Sequence, residues 1–266
     1  MLVLLPPSEG KTAPRRGKPV DLSSLSAPGL TEPRTRVLEA LLEASARPDA
    51  VDLLGVGPSL AAEVERNLDL RAAPTAAARS VYTGVLYGAA RLDDLPAAAR
   101  RRARASVRTV SALWGLVSPE DRIPAYRLSM GTDLPGIGRL AQHWRPALRA
   151  ELDPEASHRL VVDCRSAAYA AAWPVPAGGP GHVSVVVHRE AEGRRTVVSH
   201  WAKHTRGVLT RHLVTREGTA PRSPEELLDA AGELVGGALL DAGLTEGPRG
   251  SSTLALVVAD PTGAPV

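Results

Sequence analysis

The 266-residue chain contains no phenylalanine, one cysteine, two methionines, four tryptophans and four tyrosines. The lone Cys164 excludes an internal disulfide framework and any cysteine-cluster metal site, and it fits a reducing compartment. No apolar run approaches the roughly 20 residues of a membrane helix, and the opening Met-Leu-Val-Leu-Leu meets Pro6-Pro7 too soon for a signal peptide. A cytoplasmic protein with no membrane partner is expected. Repeats, charge runs and polar tracts that would divide the chain are also missing. With 44% apolar and 23% charged residues, it reads as one globular domain spanning residues 1–266.

Lysine is nearly absent as well. Lysine and arginine together number 32, yet the only lysines are Lys11, Lys18 and Lys203. Arginine bias, abundant alanine and absent phenylalanine fit a GC-rich genome. Lysine differs from arginine in being a compact charge that can lose its proton when buried, so Lys11 and Lys203 stand out as amines kept for their chemistry. Chance survival is the competing explanation, and it is the one assigned to Lys18 in its Pro/Arg/Gly-rich segment. The net charge of +3 permits an anionic partner without requiring one.

Hydrophobic patterning places strands at residues 2–5, 81–87, 107–114, 158–163, 183–188, 196–201 and 254–258. Helices are expected at 34–46, 96–104, 138–151, 166–173, 203–214 and 223–236, the last with a Ser-Pro-Glu-Glu start suited to capping. Strands alternate with helices but also form a hairpin. The expected fold class is therefore mixed α/β (α+β), a mixed sheet covered by helices rather than a strictly doubly wound one.

The strongest local motif lies within residues 50–68, where Leu53-Leu-Gly-Val-Gly-Pro-Ser-Leu-Ala-Ala-Glu-Val resembles a helix-hairpin-helix inserted in the domain. Gly55 and Gly57 allow a tight turn, Pro58 suits a first helical turn, and Leu60, Ala61 and Val64 are placed to pack the second helix on the first. Amides around Gly55, Gly57 and Ser59 would then meet phosphate, a contact that positions double-stranded DNA without reading its sequence. An ordinary glycine turn between helices is the alternative. Leu134-Pro-Gly-Ile-Gly-Arg looks like a second copy but carries Gln142 where Ala61 stands in the first, and is read as a plain turn. Gly10-Lys11-Thr12 is not a P-loop, because Leu5 occupies the position of the required glycine. His200 and His204 have ligand spacing but no HExxH pattern; no metal or cofactor is expected. Asp163-Cys164-Arg165-Ser166 ends a strand where open sheets place ligand-binding groups, with Cys164 read as a buried, inert thiol. The eight aromatics, from Tyr82 to Trp201, are expected to share one cluster, as core more than as pocket wall.

Five segments in order, Leu4-Leu-Pro-Pro-Ser-Glu-Gly-Lys-Thr, Val81-Tyr-Thr-Gly, Ser111-Ala-Leu-Trp-Gly-Leu-Val-Ser-Pro, Ile123-Pro-Ala-Tyr-Arg-Leu-Ser-Met-Gly and Ala202-Lys-His-Thr-Arg-Gly, resemble the YaaA peroxide-stress family over almost the whole chain. The resemblance implies a mixed α/β fold with a positively charged cleft, a helix-hairpin-helix, DNA binding and protection against peroxide and iron-dependent DNA damage. Residue by residue it carries over Lys11, then Lys203, Arg206, Gly207 and Arg211 of the late basic helix, and Tyr82, Tyr126, Arg127 and Met130, with Ser8 in the N-terminal motif. Ser166 and Tyr169 stand in comparable places, while the charges around them, Asp163 and Arg165, depart from the family pattern.

Two function classes fit these residues. In the first, the protein binds DNA without sequence preference, Gly55, Gly57 and Ser59 presenting amides to phosphate and Lys11, Lys203, Arg206 and Arg211 supplying charge. In the second it is an enzyme acting on a small anionic or nucleotide-like molecule in a cleft lined by Ser8, Tyr82, Tyr126, Arg127 and Met130. The catalytic candidates are then Lys11, Lys203, Asp163, Arg165, Ser166 and Tyr169. A bland interaction scaffold is the third possibility.

Overall fold

A computed structural model describes residues 1–191, 194–197 and 200–259. Its strands are β1 (Leu2–Leu5), β2 (Ala76–Ala77), β3 (Val107–Ser111), β4 (Gly115–Val117), β5 (Arg122–Ile123), β6 (Asp133–Leu134), β7 (Gly138–Arg139), β8 (Val161–Asp163), β9 (His182–Ala191), β10 (Arg194–Val197), β11 (Asp241–Glu246) and β12 (Ser251–Ala259). Its α-helices are α1 (Thr31–Ser45), α2 (Ala50–Leu53), α3 (Ala61–Glu65), α4 (Ala78–Val81), α5 (Val85–Ala90), α6 (Ala97–Ser106), α7 (Leu140–Ala156), α8 (Ala167–Ala170), α9 (His200–Thr215) and α10 (Pro224–Gly232).

The main sheet has eight strands in the order β11-β12-β9-β8-β1-β3-β4, with β10 also paired to β9. Strands β12, β9, β8, β1 and β3 run parallel, while β11, β4 and β10 attach antiparallel. The sheet is mixed, as expected. Its five parallel strands, renumbered by themselves along the chain, lie in the order 2-1-3-4-5, a doubly wound arrangement that places a crevice at the carboxyl ends of the strands beside β1. Strand β1 is central and none of its four residues is accessible, which is why it reads as an unbroken apolar run.

Most expected elements appear within a few residues of their predicted bounds. Ser223 caps α10 by accepting from the Glu226 amide at 3.3 Å, as its position before Pro224 implies. Two expectations fail. Residues 81–87 were expected as a strand and turn, but the chain there is helical on both sides of Gly84, which takes φ +88°. Val81 and Tyr87 are buried by tertiary packing, and that overrides their β preference. The strand expected at 196–201 is described as far as Val197, residues 198 and 199 lie outside the described residues, and Trp201 belongs to α9. The strand β11 was not anticipated, its Gly and Asp masking the pattern.

Two close approaches explain glycines. A Cβ on Gly115, whose φ is +67°, would lie 2.5 Å from the Trp144 ring. The same indole donates to the Ala112 carbonyl at 2.8 Å, fixing α7 over the β3–β4 turn. In α9, a Cβ on Gly207 would fall 2.2 Å from the Leu86 carbonyl oxygen of α5, so this glycine lets the two helices cross with backbones nearly touching. Buried Arg34 of α1 ties the other side, donating to the carbonyls of Trp114, Leu116, Ser26 and Ala27 at 2.6–3.1 Å.

Gly207→Ala should destabilise the fold by about 1–3 kcal/mol through overpacking against α5. Gly232→Ala, where nothing lies within 4 Å of the new methyl, should be neutral or stabilising by up to about 1 kcal/mol. Urea unfolding of both variants checks the pair; equal midpoints would contradict the close crossing.

Candidate functional site

The chain leaves β1 through Pro6-Pro7 and runs as Ser8-Glu9-Gly10-Lys11 along the start of α5. Lys11 and Tyr82 form an isolated antiparallel bridge. The Thr12 amide donates to the Val81 carbonyl at 2.9 Å, and the Thr83 amide donates to Ser8 Oγ at 2.9 Å. This pairing brings the loop after β1 against the Val81-Tyr-Thr-Gly segment. It forms one wall of a cleft of about 650 Å³ at the carboxyl ends of β1 and β8.

Four other segments complete it. Gly55, Val56, Gly57 and Leu60 come from the glycine hairpin, Arg127 to Ser129 from the loop before β6, and Ser166, Tyr169, Lys203 and Arg206 from α8 with its approach and α9. The lining carries four basic side chains, Lys11, Arg127, Lys203 and Arg206, against the single carboxylate of Glu9.

Lys11 is held from two sides. Its Nζ donates to the Ser8 carbonyl at 2.8 Å and the Glu9 carbonyl at 3.3 Å, and it sits 4.3 Å from the centroid of the Tyr126 ring and 5.8 Å from that of Tyr82. Burial, helped by the Arg127 guanidinium, pushes the Lys11 ammonium down to about 7, while Glu63 and Glu9 pull weakly the other way. Desolvation disfavours the charged amine more than the carbonyls and ring faces favour it.

Beneath Lys11 lies a hydroxyl network. The Tyr82 and Tyr126 hydroxyls are 3.1 Å apart, Tyr126 is 2.7 Å from Ser111 Oγ, and Tyr87 donates to the Pro6 carbonyl at 2.9 Å and lies 3.0 Å from Thr109 Oγ1. All three phenols are buried, and loss of water drives their acidity down. Tyr82 and Tyr126 are thus a floor that supports Lys11 rather than exposed lining.

The hairpin is tied down and does not project. Arg127 donates through Nε and Nη2 to Glu63 at 3.0 and 2.5 Å. Buried Asn67 donates to the Arg127 carbonyl at 2.9 Å and to Ser45 Oγ at 3.1 Å, and accepts from the Arg127 amide at 2.8 Å. The flanking helices α2 and α3 are four and five residues long. Only Gly55 takes a positive φ, +64°; Gly57 is extended at φ −71°, ψ 155°. Val64 packs inward as expected, but Ala61 is exposed and Leu60 half-buried, because a single helical turn has too little length to lay a second face on its partner.

The expected site residues separate into groups. Ser8, Lys11, Gly55, Gly57, Arg127, Ser166, Tyr169, Lys203 and Arg206 share the cleft. Ser59 is exposed beside it without lining it. Arg206 already spends its guanidinium on the Val185 carbonyl, at 2.7 and 3.2 Å. Arg211 lies outside the cleft, where its Nη1 donates to the Arg91 carbonyl at 2.9 Å and reaches Ala90 and Asp94 at 3.4 Å, closing the C-terminal end of α5. That is a structural use of its charge. Met130 is buried behind the loop rather than in the cleft wall. Tyr169 is pushed up to about 12 by burial, opposed by hydrogen bonding to the Met130 backbone and Ser129.

Asp163 and Arg165 are likewise outside the lining. They form a buried bidentate pair at 2.8 and 2.6 Å, with His182 Nε2 3.5 Å from the carboxylate and Arg165 5.4 Å from the Trp173 ring. Burial alone would raise the Asp163 carboxyl, but hydrogen bonds from Arg165 and His182 hold it well below the usual carboxylate range. With its charges matched internally, the pair is a clasp between β8 and β9. Burial pushes the Cys164 thiol up to about 12, which fits the inert reading. The aromatics do not form one cluster: Tyr82, Tyr87, Tyr126 and Trp114 do, whereas Trp201 is 38% exposed on α9. The His200 side chain lies outside the described residues, and among those described no His/Cys/Asp/Glu group could hold a metal ion. No helix among them is long and apolar enough to cross a membrane.

Sequence reasoning missed Thr83, Gly84, Val85 and Leu86 as lining and Glu63 and Asn67 as anchors. Thr83 and Gly84 belong to the Val81-Tyr-Thr-Gly segment already singled out, and Val85 and Leu86 adjoin it. The anchors carry no local signal, since their partner Arg127 is about 60 residues away.

In the folded chain Lys11 binds its proton less tightly than the unfolded chain does, so stability should rise with pH between about 7 and 10.5 as the unfolded lysine loses its advantage. The direct check is the NMR titration of the Lys11 side-chain carbons, expected at a midpoint of about 7; a midpoint above about 9 would contradict the burial account. Asn67→Ala should cost about 2–4 kcal/mol in chemical unfolding, because it leaves buried backbone groups of Arg127 unsatisfied.

Comparison with known proteins agrees with the motif order. The family model described as peroxide stress protein YaaA matches residues 1–233. A UPF0246 protein of Streptomyces coelicolor is 48% identical over 236 residues, 88% of this chain and 90% of its own. One from Corynebacterium efficiens is 40% identical over 243 residues, 88% and 94%. One from Corynebacterium glutamicum is 36% identical over 264 residues, 97% and 100%. The chain belongs to the YaaA peroxide stress protein family.

Proposed function

We propose that this member of the YaaA family is a cytoplasmic protein that binds double-stranded DNA without sequence preference and limits iron-dependent DNA damage during peroxide stress. The observation that supports it best is the convergence of Lys11, Lys203, Arg206 and the Gly55–Gly57 turn, three segments far apart in sequence, on one cleft with a single opposing carboxylate. Basic side chains and open backbone at a concave surface suit phosphate oxygens, which carry no base information. The cleft is too small to enclose a duplex of about 20 Å diameter, so the contact is with a backbone strand laid across its mouth.

Binding should weaken steeply with salt, with a slope of about 0.9 per phosphate contact on a log–log plot. Gly57→Val is the informative variant: its backbone is extended, and a Cβ there meets only Ser59 Oγ, at 3.9 Å. It should leave unfolding unchanged and weaken duplex binding by about tenfold, or about 1.4 kcal/mol. Fluorescence anisotropy with a labelled duplex from low to physiological salt measures both. No binding at low salt, or binding indifferent to Gly57→Val, would overturn the proposal.

A second reading is favoured by one specific observation, the Lys11 amine held at the bottom of the cleft with its affinity for a proton reduced. Groups so perturbed collect where small molecules are bound or transformed. In that reading the cleft takes a small anionic molecule, met by Lys203 at the rim, with the positive charge of Arg206 and Arg127 behind it although both already have protein partners. Inorganic phosphate in millimolar excess should then raise the melting temperature of the wild type and not of Lys203→Gln/Arg206→Gln; an unchanged melting temperature in the wild type would remove this reading.

A further inference from the structure

Among the described residues, Lys11 has no carboxylate within ion-pair distance, whereas Lys203 has Glu9 at 3.9 Å. Its amine is positioned by two backbone carbonyls and an aromatic face, and it lines a cleft open to small molecules. Lys203 has a side chain 57% exposed, and Lys18 is exposed on the Pro/Arg/Gly-rich loop.

Neither DNA binding nor simple recognition of an anion requires an amine in place of a guanidinium at the cleft floor. A guanidinium would make more hydrogen bonds to phosphate and could not give up its proton. An amine is irreplaceable where the nitrogen itself must form a bond.

We infer that Lys11 is an imine-forming residue, and that the cleft accepts a small aldehyde or ketone bearing a carboxylate or phosphate. This rests on the small-anion reading of the cleft. The neutral Nζ adds its lone pair to the carbonyl carbon, the two nitrogen protons pass to the carbonyl oxygen, and that oxygen leaves as water. A carbon–nitrogen double bond remains between Lys11 and the former carbonyl carbon. Nothing is oxidised or reduced, and addition of water reverses the step. Lys203 at the rim of the same cleft would meet the ligand's anionic group, with Arg127 and Arg206, already bonded to Glu63 and the Val185 carbonyl, adding positive charge around it. The open mouth supplies the water for release.

The lowered proton affinity of Lys11 supports the geometry, since a sizeable share of the amine is unprotonated near neutral pH.

The test treats the full-length protein with glyoxylate, an anionic aldehyde, in the presence of cyanoborohydride, which reduces an imine to a stable secondary amine. Tandem mass spectrometry then locates the adduct. At pH 7 we expect labelling at Lys11 to exceed that at Lys18 and Lys203 by about tenfold or more. It should also outpace labelling by propionaldehyde, which lacks the anion. Lys11→Arg, checked by circular dichroism for an unchanged fold, should lose the adduct. Labelling at Lys11 no greater than at the exposed lysines overturns the inference. If the phosphate-induced rise in melting temperature persists in that case, only the imine is contradicted; if it too is absent, the small-anion reading falls with it. Equal labelling by the two aldehydes overturns the anionic class.

Discussion

A strand with no accessible residue must hand the chain to polar surroundings within a few positions, and β1 does so through two prolines that donate no hydrogen bond. Its continuation therefore cannot extend the sheet. It pairs instead with the segment around Tyr82, and that pairing sets Lys11 over two buried phenols. The rest of the site is arranged about this contact. Helix α5 starts at Gly84 beside it, α9 crosses α5 at Gly207, and the loop carrying Tyr126 and Arg127 brings both the ring under Lys11 and the partner of Glu63.

The electrostatics follow from the same placement. Four cations line the cleft, but they are not equivalent. Arg127 is neutralised by Glu63, Arg206 is committed to a backbone carbonyl, and Lys203 stands at the exposed rim. Lys11 has no carboxylate within ion-pair distance among the described residues, and burial lowers its hold on its proton. The cleft can thus offer a mobile charge at its rim for a phosphate backbone and a chemically distinct amine at its floor. The proposed DNA binding would draw on the first and the proposed imine chemistry on the second.

Much of the fold was legible in the sequence where one physical signal dominated. The buried strand β1, the valine-rich β9 and β12, and the helices α1, α7 and α9 declare themselves by apolar runs or helical spacing. Residues 81–87 did not, because Val81 and Tyr87 favour strands in isolation yet are helical in the fold, where α5 packs on α9, while Tyr82 between them stays extended and bridges to Lys11. At the site, the residues carried over from the family motifs largely meet, with Lys11, Arg127, Lys203 and Arg206 in one cleft. Arg211, Asp163 and Arg165 carry charge that looks functional in sequence but is consumed by partners. Arg211 meets carbonyls at the end of α5, and the other two meet each other. The anchors Glu63 and Asn67 were invisible because their partner lies about 60 residues away, and no local rule links them.

In the proposed function the β1 loop, the glycine hairpin and the start of α5 act as one binding surface. Hydrogen–deuterium exchange with and without a duplex at low salt tests it most directly. Joint protection of residues 8–12, 55–60 and 83–87 is expected, with little change on the exposed arginine face of α6. Protection confined to α6, or to the hairpin alone, would contradict it.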